Sequence, residues 1–129
     1  MADCDMALPA HDDADLARRI EALPHEALDR LDYGVIRLDP AGRVAFYSAT
    51  ERRQSGFRGE GPVGHDFFTQ IAPCMNTPEF RGRIERARAA GRLDIEFGHV
   101  GDFADRARAL VVRVLSAADG GVWILHRRE

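Results

Sequence analysis

The alternation of apolar and polar positions along the chain predicts five β-strands, two in its first half and three at its end. In the first strand, for example, Gly34, Ile36 and Leu38 fall on one face. The predicted strands cover residues 33–39, 43–47, 93–97, 109–115 and 122–127. Segments rich in Gly, Pro and Asp, at residues 39–42 and 118–121, predict tight turns within the first and the last strand pair.

Between the second and third strands, cap residues and helical spacing predict a series of helices. Ser48, followed by Glu51 three positions on, has the pattern of a capping box. Asp66 can cap another short helix, and residues 77–90 form the longest helix, which Gly91 stops. Strands at both ends of this region and helices within it predict an α+β fold, with a five-stranded antiparallel sheet and a helical connector.

The segment before the first strand predicts a small helical cap. Apolar positions recur at helical spacing across residues 13–31, whereas residues 1–12 form an acidic leader that we predict to be disordered. Helices this short are marginal alone, so the cap should pack on another part of the protein. We therefore divide the chain into an N-terminal cap, residues 1–30, and a core, residues 31–129.

Length and charge limit the classes of function. A chain of 129 residues fits one domain with one core. The formal net charge of −3 argues against a nucleic-acid or anionic-membrane surface, which needs a basic excess. No apolar run approaches the roughly 18 residues of a membrane-spanning helix, and the acidic first residues lack the positive start of a secretory signal. We expect a cytoplasmic protein that binds neither nucleic acid nor membrane.

The chain has two cysteines, Cys4 and Cys74. A disulfide between them is not expected in a reducing compartment, and no histidines stand at the spacing of a zinc site. Cys74 lies in a turn bracketed by Pro73 and Pro78. Because a lone buried cysteine is usually a small inert hydrophobe, its sequence context must indicate whether it has a chemical role.

Short motifs on both sides of Cys74 supply that context. They are Gly-His-Asp-Phe-Phe at residues 64–68, Ala-Pro-Cys at 72–74 and Pro-Glu-Phe at 78–80. Upstream, Tyr47, Glu51 and Ser55 recur every four positions. In this order and spacing the motifs resemble the photoactive yellow protein family, which has the PAS fold. The resemblance covers about residues 33–93 and is faint in the last three strands.

The resemblance implies that residues 31–129 form a PAS photosensory core. It implies that 4-hydroxycinnamic (p-coumaric) acid is bound covalently, as a thioester on Cys74. Tyr47, Glu51 and Ser55 look like the family's phenolate-binding triad, and Phe57 stands where the family usually has an arginine over the ring. The apolar residues expected to line the same pocket are Ile36, Phe67, Ile71, Phe97 and Ile124.

A buried phenolate is expensive unless it accepts hydrogen bonds. Tyr47 can donate one, and Glu51 can donate another if its carboxyl is protonated, which burial and a neighbouring negative charge favour. The resemblance implies that light isomerises the chromophore from trans to cis and that Glu51 then passes its proton to the phenolate. We expect the buried, unpaired carboxylate to drive partial unfolding, with the N-terminal cap as the weakest element.

Two departures from the family pattern affect the expected photocycle. Phe57 keeps an apolar cover over the ring but loses the donor of the arginine. In residues 101–108, Phe103 is the only aromatic residue and there is no methionine, whereas the family's loop has aromatic residues and a methionine that speed recovery. We expect slow dark recovery or a changed absorption maximum.

Other functions fit the same residues. The chain could be a non-photoactive PAS module that binds a ligand or dimerises, with Cys74 inert, Tyr47 a rim aromatic, Glu51 a surface capping residue and Ser55 an ordinary helix-end serine. It could also be a thiol-dependent acyl-thioester enzyme or carrier. The leading expectation is a photoreceptor that is not an enzyme, forms a monomer or weak homodimer, and signals to a downstream protein that the sequence does not identify.

Overall fold

The computed structural model describes residues 8–57, 61–91, 93–101 and 105–128, and its centre is a five-stranded antiparallel sheet. The strands are β1 (Gly34–Leu38), β2 (Val44–Tyr47), β3 (Asp94–Val100), β4 (Ala109–Ser116) and β5 (Val122–Arg128). Their order across the sheet is β2-β1-β5-β4-β3. The first and last strands are therefore neighbours in the sheet, and the connector crosses from one edge to the other.

The helices are short. They are α1 (Leu16–Glu21), α2 (His25–Leu28), α3 (Ala49–Ser55) and α4 (Arg81–Ala89), with a π-helical turn at Phe67–Ile71 and a 3-10 turn at Pro73–Met75. The longest helix was predicted to begin at residue 77 but begins at Arg81, because Thr77 forms a turn of its own, in which its hydroxyl accepts from the Phe80 amide. In the described part of the chain, no helix is long and apolar enough to span a membrane.

Each face of the sheet carries an apolar core, as the strand alternation requires. On one face, Ile36 and Ile124 pack against the connector, in what we call the connector-side core. On the other, Val35, Trp123 and Leu125 pack against α1 and α2, in the cap-side core. Further buried members of the connector-side core are Leu38, Val44, Phe67, Phe68, Ile71, Met75, Phe80, Ile84, Phe97, Val112 and Val114.

Polar contacts also join the segment before β1 to the sheet. Within that segment, the hydroxyl of Tyr33, the residue just before β1, donates to the Pro9 carbonyl at 2.8 Å. The Glu21 carboxylate accepts from the Trp123 indole at 2.8 Å. Arg113, which is 7% exposed, donates to the His11 carbonyl at 3.0 Å.

The α+β fold and the antiparallel strands predicted from the sequence are confirmed, with small differences at the strand ends. The predicted disorder of residues 1–12 is wrong for residues 8–12, because buried partners in the core bind them. Residues 1–7, including Cys4, and Phe103 lie outside the described residues. The division at residue 30 stays a prediction.

Candidate functional site

Helix α3 carries two of the predicted site residues, Glu51 and Ser55, and its cap fixes it to the sheet. The Ser48 hydroxyl accepts from the Glu51 amide at 3.0 Å, the predicted cap bond, and from the Val35 amide of β1 at 3.0 Å. Gly56 ends the helix in the left-handed conformation, with φ of +78°. Tied to β1 at its start, α3 directs Glu51 towards the sheet.

Glu51 is buried, with 2% exposure, and lies over a gap left by a glycine. A Cβ atom on Gly34 would stand 1.8 Å from the Oε1 atom of Glu51, so a larger residue in β1 would displace the carboxylate. Gly34 is also the sheet partner of His126 in β5. This register brings β5 side chains to Glu51, although the two segments are far apart along the chain.

Two cationic or potentially cationic side chains of β5 bind the Glu51 carboxylate. The Arg128 guanidinium donates to both oxygens, at 2.7 Å and 3.0 Å. His126 Nδ1 lies 3.2 Å from Oε2. The side chains of Glu51, Arg128 and His126 are each at most 2% exposed. We call these residues the Glu51–His126–Arg128 cluster.

The contacts with β5 determine the protonation state of Glu51. Burial raises the pKa of the Glu51 carboxyl, but the charges and hydrogen bonds of His126 and Arg128 outweigh burial and hold that pKa below its ordinary value. The expectation of a protonated Glu51 concerned the protein with a bound phenolate and stays a prediction. In the arrangement described here, the β5 partners favour the ionised carboxylate. The expectation considered burial without these partners, which lie in the part of the chain where the family resemblance is faint. The surface capping-box interpretation of Glu51 is wrong, because the side chain is buried.

Tyr47 and Ser55 come together as expected. The Tyr47 hydroxyl lies 3.3 Å from the Ser55 hydroxyl, at the edge of the connector-side core. The Phe57 ring lies 5.8 Å from the Tyr47 ring, and the Arg52 guanidinium stands 5.7 Å from the centre of the Phe57 ring. An arginine is thus present at this rim, supplied by α3, although Phe57 occupies the position expected for one.

Cys74 lies in the 3-10 turn, and its side chain is exposed. The residues around it are anchored, since Ala72 and Met75 are buried in the connector-side core. The thiol is therefore held at the rim of this core and is open to reagents from solvent.

The five apolar residues predicted to share a pocket all belong to the connector-side core, against which Tyr47 and Phe57 also pack. Residues that the sequence analysis did not select also belong to the site. Phe80, fully buried, has its ring 5.2 Å from that of Phe97 and 6.2 Å from that of His126. A signal for His126 was available, because alternation places it after Val122 and Ile124 on the inward face of β5, where an apolar residue is usual.

These residues fit a bound phenol in part. Tyr47 supplies a hydroxyl beside an apolar core that can pack against an aromatic ring. The second ring nitrogen of His126, Nε2, is buried without a hydrogen-bond partner among the described residues, so the core holds one unused polar atom. Glu51 fits as a donor only after its carboxylate leaves Arg128 and takes up a proton.

No family model matches the chain. The chain is 30% identical over 115 residues to photoactive yellow protein from Halochromatium salexigens, covering 88% of this chain and 92% of that protein. It is 34% identical over 102 residues to photoactive yellow protein from Rhodothalassium salexigens, covering 78% of this chain and 82% of that protein.

Solved structures agree. The photoactive yellow protein domain of the sensor histidine kinase Ppr from Rhodospirillum centenum matches with a TM-score of 0.77 and 34% identity, over 86% of this chain and 98% of that domain. A PAS domain from Colwellia psychrerythraea matches with a TM-score of 0.59 and 13% identity, over 81% of this chain and 92% of that one, which shows the fold alone. With relatives of this similarity over most of its length, the chain belongs to the photoactive yellow protein family.

Proposed function

We propose that this protein is a blue-light photosensor that binds 4-hydroxycinnamic acid covalently, as a thioester on Cys74. The observation that carries the proposal is the placement of Tyr47, Ser55 and the buried Glu51 around one apolar core in a member of the photoactive yellow protein family. The exposed thiol supports it as well, since an activated acyl donor must reach the sulfur before the ring can enter the core.

When bound, the 4-hydroxycinnamoyl group supplies a double bond that isomerises in light and a phenolate oxygen that can take up a proton. Tyr47 donates a hydrogen bond to such an anion, and Ser55 orients the Tyr47 hydroxyl. Glu51 becomes a second donor in the pigmented protein, because a negative charge nearby raises the pKa of a carboxyl. After isomerisation, Glu51 would be the residue that gives up a proton to the phenolate oxygen, and the negative charge would then stay on the Glu51 carboxylate.

The proposal also covers the location, the oligomeric state and the signalling of the protein. The protein is a cytoplasmic sensor and not an enzyme, works as a monomer or weak homodimer, and passes its signal to another protein. One solved relative is a domain of a sensor histidine kinase, which supports a signalling role of this kind.

Reconstitution tests the proposal. Purified protein mixed with activated 4-hydroxycinnamic acid should gain the mass of one acyl group, turn yellow and bleach under blue light. Cys74→Ala should abolish the adduct, while Cys4→Ala should leave it intact. A colourless protein of unchanged mass would overturn the proposal.

A non-photoactive PAS module is the second candidate, and one observation favours it: both Glu51 oxygens already have donors in β5. A module of this kind would retain the fold and keep Glu51 as a structural ion pair. It predicts that activated 4-hydroxycinnamic acid gives either no adduct or an adduct with no light response.

A further inference from the structure

The Glu51–His126–Arg128 cluster differs from a surface ion pair in its hydrogen-bond geometry and in its burial. Arg128 contacts the carboxylate through two nitrogens, a bidentate geometry that fixes both oxygens. All three side chains are withdrawn from water. A carboxylate in this position is neutralised by partners that are already in place, and no rearrangement of the sheet is needed to reach them.

Helix α3 places Glu51 beside β5 and on the same helix as Ser55, which contacts Tyr47. The carboxyl thus stands between two sets of groups, the cationic β5 side chains and the hydroxyls at the rim of the connector-side core. A neutral Glu51 carboxyl interacts only weakly with the positive charge of Arg128. As an anion, it gains most from the bidentate contact.

We propose that Arg128 and His126 form a built-in counter-ion site, which receives the Glu51 carboxylate after light has removed its proton and so stabilises the bleached state. This inference rests on the proposed photosensory function. A buried carboxylate without a partner drives a small domain towards unfolding, whereas a carboxylate that enters a prepared ion pair does not. The protein should therefore bleach with limited unfolding and recover slowly.

His126 is the member of the cluster that lies next to Phe80 of the connector-side core. It occupies an inward position of β5 next to Ile124 and is 1% exposed. One ring nitrogen contacts Glu51 and the other has no partner among the described residues, so the imidazole is held by one polar contact and by the Phe80 ring. Beyond Phe80 lies His99 of β3, whose ring is 5.1 Å from that of Phe80. These contacts hold the imidazole beside the Glu51 carboxylate.

Pigmented variants test the counter-ion site. Arg128→Met and His126→Val should each shorten the lifetime of the bleached state, by at least tenfold for Arg128→Met, and should increase amide hydrogen exchange of α1 and α2 in the light. The control is Arg43→Met, an exposed arginine next to β2, which should leave the lifetime and the hydrogen exchange unchanged. Infrared difference spectra should show loss of the Glu51 carboxylic-acid band in the light and, only in the proteins that keep Arg128, a carboxylate band shifted by the guanidinium.

These measurements distinguish failure of the counter-ion site from failure of the proposed photosensory function. Bleaching with equal lifetimes in the wild type, Arg128→Met and His126→Val overturns the counter-ion site and leaves the photosensor intact. A protein that never bleaches overturns both. If Arg128→Met does not fold, Arg128→Lys takes its place, because it keeps the positive charge but loses the bidentate contact. A bleached-state lifetime shorter than that of the wild type then supports the inference, while an unchanged lifetime overturns it.

Discussion

Arg128 holds both carboxylate oxygens of Glu51 although 77 positions separate the two residues in the chain. The contact depends on the sheet, in which β1 and β5 are neighbours and Gly34 leaves room for the carboxylate. It ties the end of the last strand to α3, the helix that carries Glu51. The charge of Glu51 is therefore controlled by a strand in which the family resemblance is faint.

Loss of the Arg128 guanidinium should destabilise the protein without chromophore. Removing one partner of a buried ion pair leaves an uncompensated charge and costs roughly 3 kcal/mol. Arg128→Met should lower the free energy of unfolding by about that amount in urea titrations at neutral pH, whereas the exposed Arg43→Met should change it by less than about 0.5 kcal/mol. Adding Glu51→Gln to Arg128→Met should restore part of the loss; a strictly additive double variant would show that the two side chains do not interact.

Gly34 should be required for the buried position of Glu51. A methyl group at this position overlaps Oε1, so Gly34→Ala should displace the carboxylate and cost about 1–3 kcal/mol, the range for overpacked sites. Gly98→Ala is a matched control in β3, since a Cβ there meets nothing within 4 Å. Equal thermal midpoints for the two variants would contradict the close approach of Glu51 to β1.

Much of the fold was predictable because it depends on local patterns. Alternation identified the strands, and Ser48 with Glu51 identified the start of α3. The Tyr47–Ser55 contact followed from the resemblance. What could not be predicted depends on the sheet order: the same Glu51 that served as a helix-cap signal has its side chain bound by β5, and no local rule pairs it with Arg128.

Two other segments also differ from what their local sequence predicts, because contacts with distant parts of the chain determine their structure. Residues 8–12 belong to the leader that was predicted to be disordered, yet His11 is buried because the Leu125 carbonyl and Arg113 offer it partners. Phe67–Ile71 winds as a π-helical turn, which places its aromatic residues in the connector-side core. In both segments tertiary contacts override the local preference.

The buried His11 should make stability depend on pH. Burial lowers the pKa of its imidazole below 6.5; the Leu125 carbonyl opposes this and the nearby Arg127 adds to it. Since the unfolded chain binds the proton more readily, the contribution of His11 is complete above about pH 6.5 and is lost as pH falls below it. His11→Gln should flatten the fall in thermal midpoint between pH 7.5 and about 5.5, whereas the exposed His65→Gln should not. An identical slope in all three proteins would assign the dependence to other groups.

The light-minus-dark absorption spectrum of protein acylated at Cys74, with the modified residue identified by peptide mass, addresses the photosensor assignment most directly. We predict one visible band that disappears under blue light, returns in the dark, and depends on residue 74 alone. A visible band unaffected by light, or a label spread over other residues, would contradict the assignment.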